Sequence, residues 1–536
     1  MVAWFVYRRS VTYDMPPGEV HGPMESIPGT AGQSAALAFH QAGTPQPSTL
    51  SWVGGIPVVR LYGDAHAFGA AHGRLLAPLL PAVLRATVPS IERTVDEDGW
   101  THRIRLGWRW RFVDDGYSEQ DRRMIAGLAR GAAASHVDVA YTDLVRAQAL
   151  LDVGEPSARS GDAELHAIAH SLAIVAQQAQ TPSRVWIGRV FALPGLDDGG
   201  TAEGPVVTIA HPDGRIAWAG VGWPGALGCV TGINAEGIAV IVNPARTGDV
   251  RTTRSARPVA LLGRAVLEQA KTLDEAIKLI EGTPTLGSAV FVLVDGASGR
   301  FVQVERTPSK AILEKVPKSP AIGDVLTTNA LASDPENDRA RRLLPTIART
   351  ERAAKLAKAP LADVTALAQI LRDTHAPDDS PRPYGHRGAI DDGRSVHVAI
   401  IDPASLSLWV ADPASGGRMR AFDLRHELRG EGDRPLPPSD IPADASADPE
   451  RVSLLASALA DLREARGALT AGDRDAAAEA AARAIAKLPA LPEALELTGV
   501  IAQARGNTAA AQAAFAAWLD GGPDDPKGEE RARAAR

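Results

Sequence analysis

The chain has 536 residues, too many for one ordinary core, and its 45% hydrophobic content is that of a soluble globular protein of two or more domains. Lys plus Arg number 57 against 64 Asp plus Glu, a net charge of −7, which gives no electrostatic case for a nucleic acid or an anionic membrane partner. A single cysteine excludes an intrachain disulfide and any cysteine-based zinc or iron–sulfur cage. No apolar run reaches the roughly 18 residues that span a bilayer. The opening MVAWFVYRRS places its arginines after the apolar piece, the reverse of a secretory signal, so a cytoplasmic protein is expected.

Residues 1–50 are rich in Pro, Gly, Ser and Gln without periodicity and read as a loose leader, with order beginning at Trp52. GGIPVVRLYGDAHAFGAAHG then predicts a strand that turns at Gly63-Asp64 into a helix, the start of a helical segment over 51–168 that includes LGWRWRF. From about 165 the apolar period changes to two, in LHAIAHSLAIV, SRVWIGRVFAL, PVVTIAHPDGRIAWAGV and GCVTGINAEGIAVIVN. PDG and NAEG are hairpin turns with Gly free to take positive φ. A helix over Pro258–Glu281, a hairpin in SAVFVLVDGASGRFVQVER, a helical stretch from Pro335 to Leu371 and the strand pair RSVHVAIIDPASLSLWVAD complete a layered α+β domain over 169–430.

Residues 431–450 are a Pro- and Asp-rich linker, and Ala-rich helix follows over 451–525 before a charged stretch at 526–536. Gly472-Asp473 and Gly506-Asn507 lie 34 residues apart, as do Pro489 and Pro523. A 34-residue helix-turn-helix period resembles a tetratricopeptide pair, an all-α tail that would recruit a protein partner, with an extra helix from Arg451 as its cap.

VGWPGALGCVTGINAEGIAVIVN, with GDAHAFGAAHG upstream and VLTTNALASDPENDRARRL downstream, resembles the isopenicillin-N acyltransferase type of N-terminal-nucleophile hydrolase over about residues 54–425. The resemblance implies a four-layer αββα fold, self-cleavage before a catalytic Cys, and hydrolysis or transfer of the acyl group of a small amide or peptide-like ligand. No cofactor is implied.

Two registers compete for the nucleophile. In the first it is Cys229, which follows a glycine, with Arg246 and Asp249 placed to orient the freed amine. In the second, which fits the family's spacing better, AHSLAIVAQQAQTPSRVWIGR is the nucleophile strand, and Asn329 lies 159 residues beyond His170. His170 then stands where the Cys belongs, Ala169 replaces the preceding Gly, Ala192 replaces an Asp, and Arg189 keeps the family's Arg. Cys229 becomes a small buried residue. Ser171 would rescue the chemistry by cleavage of the His170–Ser171 bond, although a one-residue slip in a strand turns a side chain to the other face.

By the same resemblance Asn234 and Asn329 supply amide donors to an oxyanion, a role worth roughly 3 kcal/mol each. Asn234 also suits its turn for backbone reasons alone. Arg387, in YGHRGAIDDG, is the family's late arginine, binding a carboxylate or supporting the site, or else a loop charge. Arg189 orients a chain terminus or a carboxylate by its planar fork. His72 reads as a satisfied helical histidine. Metal ligation is not expected, since His375, His386 and His397 have no i, i+4 pairing or carboxylate at ligand spacing. Two activities remain open: an amidase or acyltransferase, and a catalytically degenerate relative that binds the same kind of ligand.

Overall fold

The computed structural model describes residues 13–28, 36–84, 113–153, 171–181, 183–192, 204–245, 256–313, 325–327, 344–432, 437–444, 448–523 and 526–535. The N-terminal part contributes β1 (Met24–Ile27), β2 (Ala36–Phe39), β3 (Ser48–Val53) and β4 (Ile56–Gly63), then α1 (Ala65–Leu75), α2 (Glu119–Ala134) and α3 (Tyr141–Gln148). Next come β5 (Ser171–Gln177), β6 (Val185–Phe191), β7 (Val206–Pro212), β8 (Trp218–Gly222), β9 (Thr231–Asn234) and β10 (Ile238–Ala245). Helices α4 (Val259–Gln269) and α5 (Leu273–Gly282) lead to β11 (Ser288–Asp295), β12 (Phe301–Arg306), β13 (Ala311–Leu313) and β14 (Val325–Thr327). The domain closes with α6 (Leu344–Leu356), α7 (Val364–Leu371), β15 (His397–Asp402), β16 (Ser407–Asp412), β17 (Arg418–Asp423) and α8 (Leu424–Arg429).

The strands form an eleven-stranded sheet, ordered β1-β2-β3-β4-β7-β8-β9-β10-β11-β12-β13, and a six-stranded sheet, ordered β14-β5-β6-β15-β16-β17. Their inner faces bury one core, in which Val58, Ile209, Ile233 and Ile241 of the first sheet meet Ala173, Val175, Ile187 and Ala399 of the second. The outer face of the large sheet carries α1 to α5, and that of the small sheet carries α6 and α7 through Ala353, Leu367 and Leu371. This is the α+β, αββα layering that the resemblance implies, with apolar side chains alternating between two buried faces of each strand.

Local chemistry accounts for the junctions. Asp64 caps α1 by accepting from the Ala67 N–H at 2.9 Å, so the strand-to-helix turn falls where Gly63-Asp64 predicts it. Gly69 and Gly73 of α1 face Gly127 and Gly131 of α2, and a Cβ at any of the four would strike the other helix's backbone. The glycines therefore set the close approach of these helices rather than any turn. The hairpins at PDG and NAEG are present, with Gly214 and Gly237 at φ +67° and +89°.

Three expectations are corrected. The stretch taken as a loose leader contributes β1, β2 and the first half of β3, and β4 pairs in parallel with β7, so the N-terminal part is built into the large sheet. Strands of four residues are too short to show a period; backbone pairing holds them. The single helix over 258–281 is two, because Thr272 restarts it by capping the Glu275 N–H. The charged stretch at 526–536 is mostly helix, described below. LGWRWRF, Ala169, His170, Arg246, Asp249 and Asn329 lie outside the described residues.

The tail is α9 (Pro449–Thr470), α10 (Arg474–Lys487), α11 (Pro492–Ala504), α12 (Thr508–Asp520) and α13 (Pro526–Ala535). Helix α10 begins 34 residues before α12, and α11 begins 34 before α13. The turns repeat too: Gly472 (φ +83°) precedes the cap Asp473, and Gly506 (φ +77°) precedes the cap Asn507. Leu455, Leu459, Ala477, Ala480 and Leu497 fill one core of this tail, and Phe515, Trp518 and Ala532 another.

Candidate active site between the sheets

Strand register decides which side chains meet. Ser171 is the first residue of β5 and lies opposite Phe191, which in turn lies opposite His397 of β15; Ala173 lies opposite Arg189. Directly opposed residues share a face, and Ala173, Ile187 and Ala399 put that face toward the large sheet. Ser171, Arg189, Phe191 and His397 therefore all look into the inter-sheet layer. Across it stand Thr231 of β9 and Asn243 of β10, in phase with the inward-facing Ile233 and Ile241. All six are buried.

Two polar links tie the sheets together here. The Arg189 guanidinium donates to Asn243 Oδ1 in a short hydrogen bond and to the Val242 carbonyl at 2.9 Å. Thr231 Oγ1 and His397 Nε2 are 2.9 Å apart. Phe191 lies between them, with the Arg189 guanidinium 4.9 Å from its ring centre and the His397 ring stacked at 5.0 Å. Its ring also stacks on Trp223 at 5.8 Å, and Trp223 lines a small cavity with Gly222, Ala226, Val230 and Ala260.

Burial sets the electrostatics. It pulls Arg189 down to about 9, since the partners named above are neutral amides and do not offset the desolvation. Burial, then the charge of Arg189, pushes His397 well below the usual histidine range, so its ring is neutral. The face that Ser171 shares thus holds a buried cation beside a neutral imidazole.

The remaining residues sit elsewhere. Cys229 lies against Gly220 and Gly232 on the helix-covered side of the large sheet, its N–H donating to the Ala260 carbonyl at 2.9 Å. Burial pushes its thiol up to about 12, the wrong direction for a nucleophile. Asn234 spends its amide on the backbone. Nδ2 donates to the Leu267 and Ala270 carbonyls at 3.0 and 2.8 Å, and Oδ1 accepts from the Glu236 and Ile238 N–H groups at 3.1 and 3.0 Å. It ends α4 and holds the β9–β10 turn. Arg387 is buried and ion-paired with Glu493 of α11, in a short contact. His72 accepts from the Gly225 N–H at 2.9 Å, and burial lowers it to about 4. Among the described residues no group of three or more His, Cys, Asp or Glu is placed to hold a metal ion.

Asn243, Thr231 and His397 were not singled out as partners from the sequence. The available signal was a polar residue recurring on the inward phase of an otherwise apolar strand, as in the closing Asn of GIAVIVN.

No curated protein matches the chain. Among solved structures, an N-acylethanolamine-hydrolyzing acid amidase ortholog from Caenorhabditis elegans is 17% identical, covering 44% of this chain and 93% of its own, with a TM-score of 0.32. A mutant of the conjugated bile acid hydrolase from Clostridium perfringens is 12% identical, covering 49% and 93%, with a TM-score of 0.30. The sequence model described as acyl-coenzyme A:6-aminopenicillanic acid acyl-transferase matches residues 201–414. The resemblance read from the motifs therefore holds over that span, and residues 201–414 carry the sequence pattern of the acyl-coenzyme A:6-aminopenicillanic acid acyl-transferase family.

Proposed function

We propose that the protein is an N-terminal-nucleophile amidohydrolase or acyltransferase that acts on the C–N bond of a small acylated amine, with Ser171 as nucleophile. The observation that carries this reading is register: Ser171 opens β5 on the same inter-sheet face as Arg189, with β10 and its Asn243 packed across from β5. In this scheme Ser171 Oγ attacks the carbonyl carbon of His170, the acyl group shifts from nitrogen to oxygen, and water cleaves the resulting ester. That frees the Ser171 α-amine. The amine then takes the Oγ proton through a bridging water as Oγ attacks the substrate's acyl carbon, and the departing amine leaves with a proton. Water or a second acceptor removes the acyl group from Oγ.

The neighbours suit that chemistry. A buried guanidinium on the same face disfavours a second positive charge close by, which suits a freed α-amine that has to act as a base. Asn243 stands across the layer from β5 with its carbonyl held by Arg189, and it is the amide we assign to the oxyanion. The two 34-residue hairpins of the tail fit a tetratricopeptide-like reading.

Intact mass and N-terminal sequencing of the purified protein, with and without Ser171→Ala, test this. The expected outcome is a fragment beginning at Ser171, absent from S171A, and hydrolysis of an acyl-amide by the cut form alone. A cut before Cys229 would overturn the assignment. An uncut chain without turnover would leave the degenerate binding protein.

A further inference from the structure

The stretch from Arg382 to Val396 joins two parts of the molecule. At one end it runs into β15: Val396 N–H donates to the Phe191 carbonyl at 2.7 Å, and His397 follows opposite Phe191. At the other end it is gripped by the tail. Glu493 of α11, only 3% exposed, receives Arg387 and, at 3.1 Å, Arg394, whose other arm donates to the Gly385 carbonyl at 3.0 Å. Arg466 of α9 lies 3.7 Å from the same carboxylate. His386 Nδ1 accepts from the Gly388 N–H, which leaves Nε2 to donate to the Gly522 carbonyl beyond α12 at 2.8 Å. Arg451 of α9 lies over the Tyr384 ring, 5.4 Å from its centre.

The loop's own sequence is fitted to this grip. Gly385 and Gly393 have φ of +86° and +71°, and a Cβ at either would meet Leu455 of α9, with Leu491 also in the way at 385. Glu493 is the tail carboxylate on which Arg387 and Arg394 converge, with the buried Arg349 close to Arg387. Removing one partner of a buried ion pair is strongly destabilising.

We propose that the helical tail is part of the catalytic unit, and that Glu493 is a positioning residue holding the loop that delivers His397 to the inter-sheet site. The tail lies outside the segment that matches the family pattern, whereas the loop lies inside it. The inference rests on the Ser171 site as the place of chemistry, but its test does not need turnover.

The test is Glu493→Gln in the full chain, read by amide hydrogen exchange over 382–398 and by the ring nitrogen signals of His397. In the parent protein the loop is expected to be protected and the His397 ring, pushed well below the usual histidine range by burial and Arg189, to be neutral at neutral pH. In E493Q, with α9 to α12 still protected, exchange in the loop is expected to rise at least tenfold, His397 to shift, and the rate of appearance of the Ser171 fragment to fall about tenfold. Unchanged loop exchange with unchanged His397 signals overturns the proposal. Should E493Q fail to accumulate, Glu493→Asp, one methylene shorter, is read on the same two signals and decides in the same way. Absence of a Ser171 fragment from the parent protein instead overturns the Ser171 reading and leaves the exchange and His397 comparisons valid.

Discussion

Replacing Asn234 with Ala separates two roles that differ in where the loss shows. The side chain makes four hydrogen bonds to backbone groups, two that end α4 and two that hold the β9–β10 turn, and it is wholly buried. At about 1 kcal/mol net each, their removal costs about 4 kcal/mol of stability. A donor to the oxyanion would instead cost about 3 kcal/mol of transition-state stabilisation, 10²–10³ in rate, with folding little affected. The assay pairs thermal unfolding with the rate of appearance of the Ser171 fragment, measured well below the melting transition. The expected result is a melting temperature lower by several degrees with processing within about threefold of the parent protein. A variant that melts as the parent does, yet processes a hundredfold more slowly, would refute the reasoning and return Asn234 to the oxyanion.

Cys229→Ala should leave processing intact and cost about 1 kcal/mol or less, since the thiol packs as a small apolar group; loss of cleavage in C229A would put the nucleophile there. Asn243→Asp should fold, because a carboxylate pairs with Arg189, yet lose roughly 10²–10³ in turnover as the amide donor disappears; single-turnover kinetics with an acyl-amide substrate check it. His72 is held at about 4 when folded against 6.5 when free, so its contribution is complete above pH 6.5 and lost as pH falls toward 4, about 3 kcal/mol over that window. His72→Gln should flatten the fall in stability between pH 6.5 and 4 in denaturant titrations. Gly385→Ala puts a side chain at φ +86° against Leu491, and should loosen the tail enough for limited proteolysis to release α9 to α13.

Features written within a few consecutive residues were legible in the sequence. The Gly63-Asp64 turn, the hairpins at Gly214 and Gly237 and the 34-residue spacing of Gly472 and Gly506 each rest on backbone demands that a short stretch declares. The strands at Met24–Ile27 and Ala36–Phe39 were not legible, because their stability comes from neighbours in the sheet rather than from their own pattern. Glu493 gave no signal at all, since its meaning comes from Arg394, 99 residues earlier in the chain.

The candidate site shows the same division. Counted along its own strand from His170, Ser171 falls on the opposite face, because one step along a strand reverses the face. The phase that matters is fixed by the partner strand. Ala173 opposes Arg189 and Ser171 opposes Phe191, so Ser171 and Arg189 share a face whatever stands at 170. The same pairing brings in His397, and the sheet across the layer adds Thr231 and Asn243, which lie 166 and 54 residues from their partners. A nucleophile read from spacing along one strand is therefore a weaker inference than one read across two. Arg189 is the better origin for the count, because its guanidinium is a charge that this layer has to bury and orient.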